Sequence, residues 1–247
     1  MSGTTSGFGY FIKGLSLITK PGVKRFVIIP LIINILTFIL LIAVAGSYVS
    51  NLVNEYIPEF DGWLSFINIF LEILAYLLVA VLIFYTSSLI ANVISSPFNG
   101  PLAAAVEKHL TSTTPPGSDR AIMTEMSFTI INELKKWLYY FMWAIPLAII
   151  SVILLFIFAP LVGIIWFIFG AWMFSLEYSD YPMSNYGLSF KQVREEVAKK
   201  RMMSLGFGSA VTLGTMIPLF NFMVMPIAVA GATAMRVEQY PLQIKHG

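Results

Sequence analysis

Four stretches almost free of charge limit what this chain can become. Phe26–Val53, Trp137–Leu176 and Met202–Met235 contain no Asp, Glu, Lys or Arg, and Trp63–Val106 contains only Glu72. A helix of roughly 20 apolar residues covers the hydrocarbon core of a bilayer, so the chain reads as an all-α integral membrane protein. Composition agrees: 11% of the 247 residues are charged and mean hydropathy is +0.81, against about 25% charged in soluble domains. Cysteine is absent, which excludes disulfides and thiolate metal sites. His109 and His246 are too few and too far apart for a metal cluster. No metal or cofactor is expected, and the small, polar start at Met1–Gly9 carries no signal-peptide pattern.

Charge placement orders the runs. All 15 Lys and Arg residues lie outside residues 54–62, a loop whose charges are Glu55, Glu59 and Asp61. Basic residues favour the cytoplasmic side, which puts that loop outside and both termini inside. The connectors at 107–136 and 177–201 then fall on the cytoplasmic side, so the third and fourth runs each enter and leave by one face. Run four, with 34 residues, is short for two crossings and the 40 of run three are borderline; each carries two prolines, Pro146 and Pro160 in one, Pro218 and Pro226 in the other.

The expected fold is therefore two full transmembrane helices, at 26–53 and within 63–96, plus two proline-broken, partly penetrating helical hairpins at 137–176 and 202–235. Cytoplasmic and interfacial helices complete a single membrane domain over 1–247. Residues 1–25 supply an interfacial helix, with Phe8, Phe11, Ile12, Leu15 and Ile18 on one face, and then a turn. The prolines of Ser95–Pro101 are expected to end the second span, 102–110 to form a separate short helix, and 111–119 a flexible loop. A helix over 121–136 closes on Lys135 and Lys136, and 189–201 forms a charged helix.

The turn before the first span is the candidate site. Helix growth from Pro21 would leave the N–H groups of Gly22, Val23 and Lys24 without acceptors at a positive helix end, which suits an oxyanion. Gly22 does not obstruct approach, Lys24 and Arg25 add charge-assisted hydrogen bonds, and Ser16 and Thr19 are weaker contributors. The commoner use of such a cation pair is as an interfacial anchor and topology signal. Four amides at membrane depth, Asn34, Asn92, Asn99 and Asn221, could donate to a passing oxyanion without holding it; interhelical hydrogen bonds are their alternative use.

Motifs along most of the chain carry a family resemblance. Gly14-Leu15-Ser16-Leu17 leads to Pro21-Gly22-Val23-Lys24-Arg25-Phe26, then Pro30-Leu31 and Asn34. Ala91-Asn92 precedes Pro97-Phe98-Asn99-Gly100-Pro101-Leu102 and Glu107. Tyr178-Ser179-Asp180-Tyr181-Pro182 with Phe190 follows, then Met216-Ile217-Pro218-Leu219-Phe220-Asn221, Met225-Pro226 and Gly231-Ala232-Thr233-Ala234-Met235. In this order they resemble the CysZ family of bacterial sulfate permeases.

The resemblance implies a multi-pass protein of the bacterial inner membrane that takes up sulfate for assimilation into cysteine, with sulfite as a regulator or related ligand. It also implies a homo-oligomer, a sulfate-binding pair at Lys24 and Arg25, and partners limited to sulfate, membrane lipids and further copies, with no nucleic acid. Glu107, in a matched stretch, joins the asparagines on the expected polar path. No Walker-type glycine loop is present, so passage is expected to be channel-like or ion-coupled. An enzyme is not expected, since no histidine stands at useful spacing from a nucleophile. The alternative is a membrane scaffold or accessory subunit whose cationic turn anchors to anionic lipid.

Overall fold

The computed structural model describes residues 6–56, 60–117, 122–217 and 220–241, without the side chains at 45–54, 56, 63, 88–89, 91–97 and 122–132. The described elements are helices: α1 Gly7–Leu17, α2 Arg25–Tyr56, a short 3₁₀ turn at Gly62–Leu64, α3 Phe66–Thr111, α4 Ile122–Ser184, α5 Phe190–Ala198, α6 Arg201–Thr215 and α7 Asn221–Gln239. Contacts gather the chain into two compact units, Met1–Val27 with Phe98–Gly247, and Ile28–Pro97.

In the Ile28–Pro97 unit, α2 and α3 follow the first two apolar runs. With 32 residues α2 is ~48 Å long at 1.5 Å per residue, more than a hydrocarbon core of ~30 Å. Pro30 sits in its second turn, where the lost donor would have served only Phe26. Ile32, Leu36 and Leu40 on α2 and Ile69, Phe70, Leu77 and Leu82 on α3 are exposed. Each such side chain in water forgoes about 1.5–3 kcal/mol, so a few of them cancel the 5–15 kcal/mol that holds an ordinary domain folded. The solvent for these faces is lipid. Three helical segments, Arg25–Val44, Phe66–Ser87 and Glu133–Ser184, are long and apolar enough to cross a membrane.

Two expected breaks are absent. Helix α3 continues through Pro97 and Pro101 to Thr111, so 102–110 is its last part and not a separate helix. The two prolines stand four apart, so the donor missing at Pro101 faces the carbonyl of Pro97 and the deficit stays on one side of the helix. Helix α4 likewise runs on past Lys136 and through Pro146. The described part of the 111–119 loop is also pinned: Pro115 and Gly117 are buried, and the Gly117 amide donates to the Asn185 carbonyl over 2.9 Å.

The hairpin expected at 137–176 is contained in α4. Residues 136 and 177 would be ~60 Å apart in a straight helix, yet Lys136 Nζ lies 3.2 Å from Glu177 Oε2. Trp172 Nε1 donates to Tyr139 Oη at 3.3 Å and Trp166 Nε1 to Ser151 Oγ at 2.9 Å, so the second arm runs back along the first. The reversal is at Phe158, whose φ of −158° and ψ of 84° are extended, two residues before Pro160. Its tip, Phe156-Ile157-Phe158, is exposed and wholly apolar. The 202–235 run holds a second pair of helices, α6 ending at Thr215 and α7 starting at Asn221, with their far ends tied by Lys200 Nζ donating to Gln239 Oε1 at 2.8 Å. Pro226 is inside α7, and Pro218 is outside the described residues.

The core of the larger unit is built around α7. Ile227–Arg236 is buried on every side, as expected of a helix apolar all round, and small residues such as Ala230, Gly231, Ala232 and Ala234 let neighbours approach closely. Helix α1 crosses it backbone to backbone: a Cβ on Gly231 would lie 2.5 Å from the Tyr10 carbonyl oxygen, and one on Gly14 would lie 2.8 Å from the Gly231 amide. The packed face of α1 is thus Gly7, Tyr10, Phe11, Gly14 and Leu17, not the stripe counted from apolar residues; Phe8, Ile12 and Leu15 point outward. Gly231→Val forces α1 off α7, and overpacking of this kind costs typically 1–3 kcal/mol. It should lower the melting temperature in detergent, whereas Gly163→Ala, with nothing within 4 Å of the added Cβ, should not.

Candidate functional site

Residues Lys20 to Val23 form a Pro-Gly β-turn. The Val23 amide donates to the Lys20 carbonyl at 3.1 Å and Gly22 takes a φ of +82°, the left-handed value that a type II turn needs at its third position. The Lys24 amide also donates to the Lys20 carbonyl, at 3.1 Å, and α2 starts at Arg25 instead of Pro21. Two of the three amides expected to face an anion are therefore spent. The left-handed backbone at Gly22 favours glycine, and the space around it is open. Ser16 Oγ donates to the Lys13 carbonyl at 2.8 Å and Thr19 Oγ1 to the Ser16 carbonyl at 2.9 Å, closing the end of α1.

The cations remain. Lys20, Lys24 and Arg25 are exposed, and among the described residues none of them pairs with a carboxylate. The sequence has no acid between Lys13 and Glu55. The Arg25 guanidinium lies 4.7 Å from the centre of the Phe26 ring, which holds its fork at the head of α2. Three positive charges within six residues, paired with no carboxylate among the described residues, attract a dianion twice as strongly as a monoanion.

The polar residues expected along a path divide. Asn34 is buried on α2, in the Ile28–Pro97 unit. The Asn92 side chain lies outside the described residues. Asn99 is buried and its Nδ2 approaches Met225 Sδ at 3.5 Å. Asn221 opens α7 one turn before Met225, on the same face, one turn from the residue that Asn99 meets.

Glu107 has a different setting. It forms an ion pair with Arg236, both side chains almost fully buried, and accepts a hydrogen bond from Tyr186 Oη. The Arg236 guanidinium stacks 4.7 Å from the Tyr186 ring centre. Burial, and then the hydrogen bond to Glu107, raise the pKa of the Tyr186 phenol, so it stays a donor. With the Asn99–Met225 contact, this pair locks the end of α3 parallel to α7.

A second cluster closes the α4 hairpin. Lys136 Nζ, nearly buried, reaches Glu133 at 2.6 Å, Asp180 at 3.1 Å and Glu177 at 3.2 Å, and Tyr181 Oη donates to Glu177 Oε1 at 3.1 Å. Sequence reasoning assigned no role to Arg236, Glu177 or Asp180, and read Lys136 only as the end of a helix. A signal was present: Glu107, Lys136, Glu177 and Arg236 each stand next to the end of an apolar run, and in the structure they pair with one another. Among the described residues no group of His, Asp and Glu is arranged to hold a metal ion.

A model of the family described as sulfate transporter CysZ/etoposide-induced protein 2.4 matches residues 10–226. The match takes in the Pro-Gly turn with its cations, α2, α3, the α4 hairpin, α5 and α6, and it ends before Arg236.

Proposed function

Because the chain belongs to the family of sulfate transporter CysZ and etoposide-induced protein 2.4, we propose that it takes up sulfate across the bacterial inner membrane to supply cysteine synthesis. The observation that carries this reading is the family match over most of the chain. Lys24 and Arg25, exposed and among the described residues paired with no carboxylate, support it, as does a helical body whose outward faces suit lipid. In this reading recognition is by side-chain charge and not by a helix end. Arg25 supplies a planar two-donor fork and Lys24 a point charge, with Lys20 raising the local field. Sulfite, with the same charge and a similar shape, is a related ligand of the same cations.

The hairpins fit a role beside a path. The α6 helix has 15 residues, ~22 Å, which is short of a ~30 Å hydrocarbon core, so the α6–α7 hairpin penetrates partway. Backbone that turns at membrane depth needs protein or a water-filled cavity around it. We read this as a polar path served by Asn99 and Asn221, completed in a homo-oligomer. Moving a dianion inward against a potential of about 100 mV costs about 4.6 kcal/mol. Uptake therefore requires rapid consumption of sulfate inside or coupling to cations.

The pair is tested by binding. Lys24→Ala/Arg25→Ala removes two charge-assisted contacts, each worth about 1 kcal/mol at an exposed site, so radiolabelled sulfate should bind roughly thirtyfold more weakly. Lys24→Arg/Arg25→Lys should bind within a few-fold of wild type. Unchanged binding in the double alanine variant would remove the turn from the site.

A further inference from the structure

We propose that the groove between the α4 hairpin and the α5–α6 connector is a binding site for an anionic phospholipid. The cavity measures about 570 Å³, within the range of small-molecule sites. Trp143, Leu147, Ile165 and Ile168, from both arms of the hairpin, line one end. Arg194 of α5 and Arg201, the first residue of α6, stand at the other, with Tyr139 and Trp172 between.

Each end has a distinct chemistry. The apolar end continues the lipid-exposed face of α4, where Trp143 and Ile168 are open to the surroundings, so an acyl chain lying there replaces lipid by lipid. The charged end is set up for an anion. The Arg194 guanidinium is held 5.0 Å from the Tyr139 ring centre, and among the described residues neither Arg194 nor Arg201 pairs with a carboxylate. Glu195, the acid in the lining, lies 3.9 Å from Lys191. Its neighbours Lys199 and Lys200 are engaged by Glu196 and Gln239. Arg201 also opens α6, whose cap residue Lys200 offers no side-chain acceptor, so the first amides of that helix add positive potential.

A free oxyanion would use only the charged end, and a neutral lipid only the apolar one. A phosphodiester carrying acyl chains and a net negative charge uses both, as basic pockets between membrane helices do. The bound lipid ties the open side of the hairpin to α5 and α6, so the stability of the larger unit depends on anionic lipid. This holds whether or not sulfate is the cargo.

Native mass spectrometry of the full chain in detergent, titrated with phosphatidylglycerol or phosphatidylcholine, tests it. Wild type should retain phosphatidylglycerol preferentially. The preference should fall about fivefold for each arginine replaced and roughly thirtyfold in Arg194→Gln/Arg201→Gln, while Arg194→Lys/Arg201→Lys keeps most of it. Arg201→Gln alone guards against misfolding, because among the described residues Arg201 makes no ion pair to lose and the variant should melt like wild type in phosphatidylcholine. Equal retention of both lipids, or retention unaffected by Arg201→Gln, would overturn the site. So would full protection by inorganic phosphate without lipid, or a lipid-free dimer that Leu147→Trp disrupts, which would assign the groove to a second copy.

Discussion

Arg236→Leu should be the most damaging single substitution in the larger unit. It leaves the Glu107 carboxylate in the core between α3 and α7, still bonded to Tyr186 but without its counter-ion. Breaking a buried pair by deleting one partner costs about 3–5 kcal/mol, a large share of the 5–15 kcal/mol typical of a folded domain. Glu107→Leu/Arg236→Leu should recover most of that loss, because an apolar pair of similar volume needs no desolvation. Thermal unfolding in detergent reads both. If the double variant melts as low as Arg236→Leu, the charges specify the packing and do not merely tolerate each other.

Lys136→Met should be nearly as severe, and more local. It leaves Glu133, Glu177 and Asp180 facing one another where the two arms of α4 meet. Asp180, buried with Lys136, is left without its counter-ion, and Glu133 and Glu177, each more than a third exposed, add a screened repulsion. We expect a loss of about 3–5 kcal/mol, as for other buried pairs broken on one side, with new protease cleavage between Lys135 and Arg194 marking an open hairpin. Lys136→Met/Asp180→Asn/Glu177→Gln should close it again. If Lys136→Met melts like wild type, the cluster does not hold the arms.

Much of the fold was legible because membrane burial writes itself into run length. The lengths of 26–53 and 63–96 predicted α2 and the first part of α3. Counting cations on either side of 54–62 predicted hairpins, and the Lys136–Glu177 pair brings the two ends of run three together, as that count required. Other features depended on contacts that no run contains. Helix α1 packs through Gly7 and Gly14, which an apolar count leaves out, because at a backbone crossing the absence of a side chain is what matters. Glu107 reads as a path residue and Lys136 as a helix end because their partners lie far off in sequence, 129 residues away from Glu107 to Arg236 and 41 from Lys136 to Glu177.

The turn taught a narrower lesson. Pro21 can start a helix or occupy the second position of a β-turn, and the following glycine favours the turn because it alone accepts a φ of +82° without strain. The Pro-Gly pair was therefore a turn signal, and reading it as a helix start exposed amides that in fact bond to Lys20. What survives of the site is its charge. Among the described residues Lys20, Lys24 and Arg25 pair with no carboxylate at the head of a long apolar helix, and the proposed dianion site rests on that charge.

Radiolabelled sulfate uptake into liposomes containing the purified protein tests the central claim most directly. Wild type should give saturable uptake that excess phosphate does not block and that Lys24→Ala/Arg25→Ala loses while remaining folded. Uptake by wild type no greater than in empty liposomes would contradict the transport reading and turn the cationic turn into a lipid anchor.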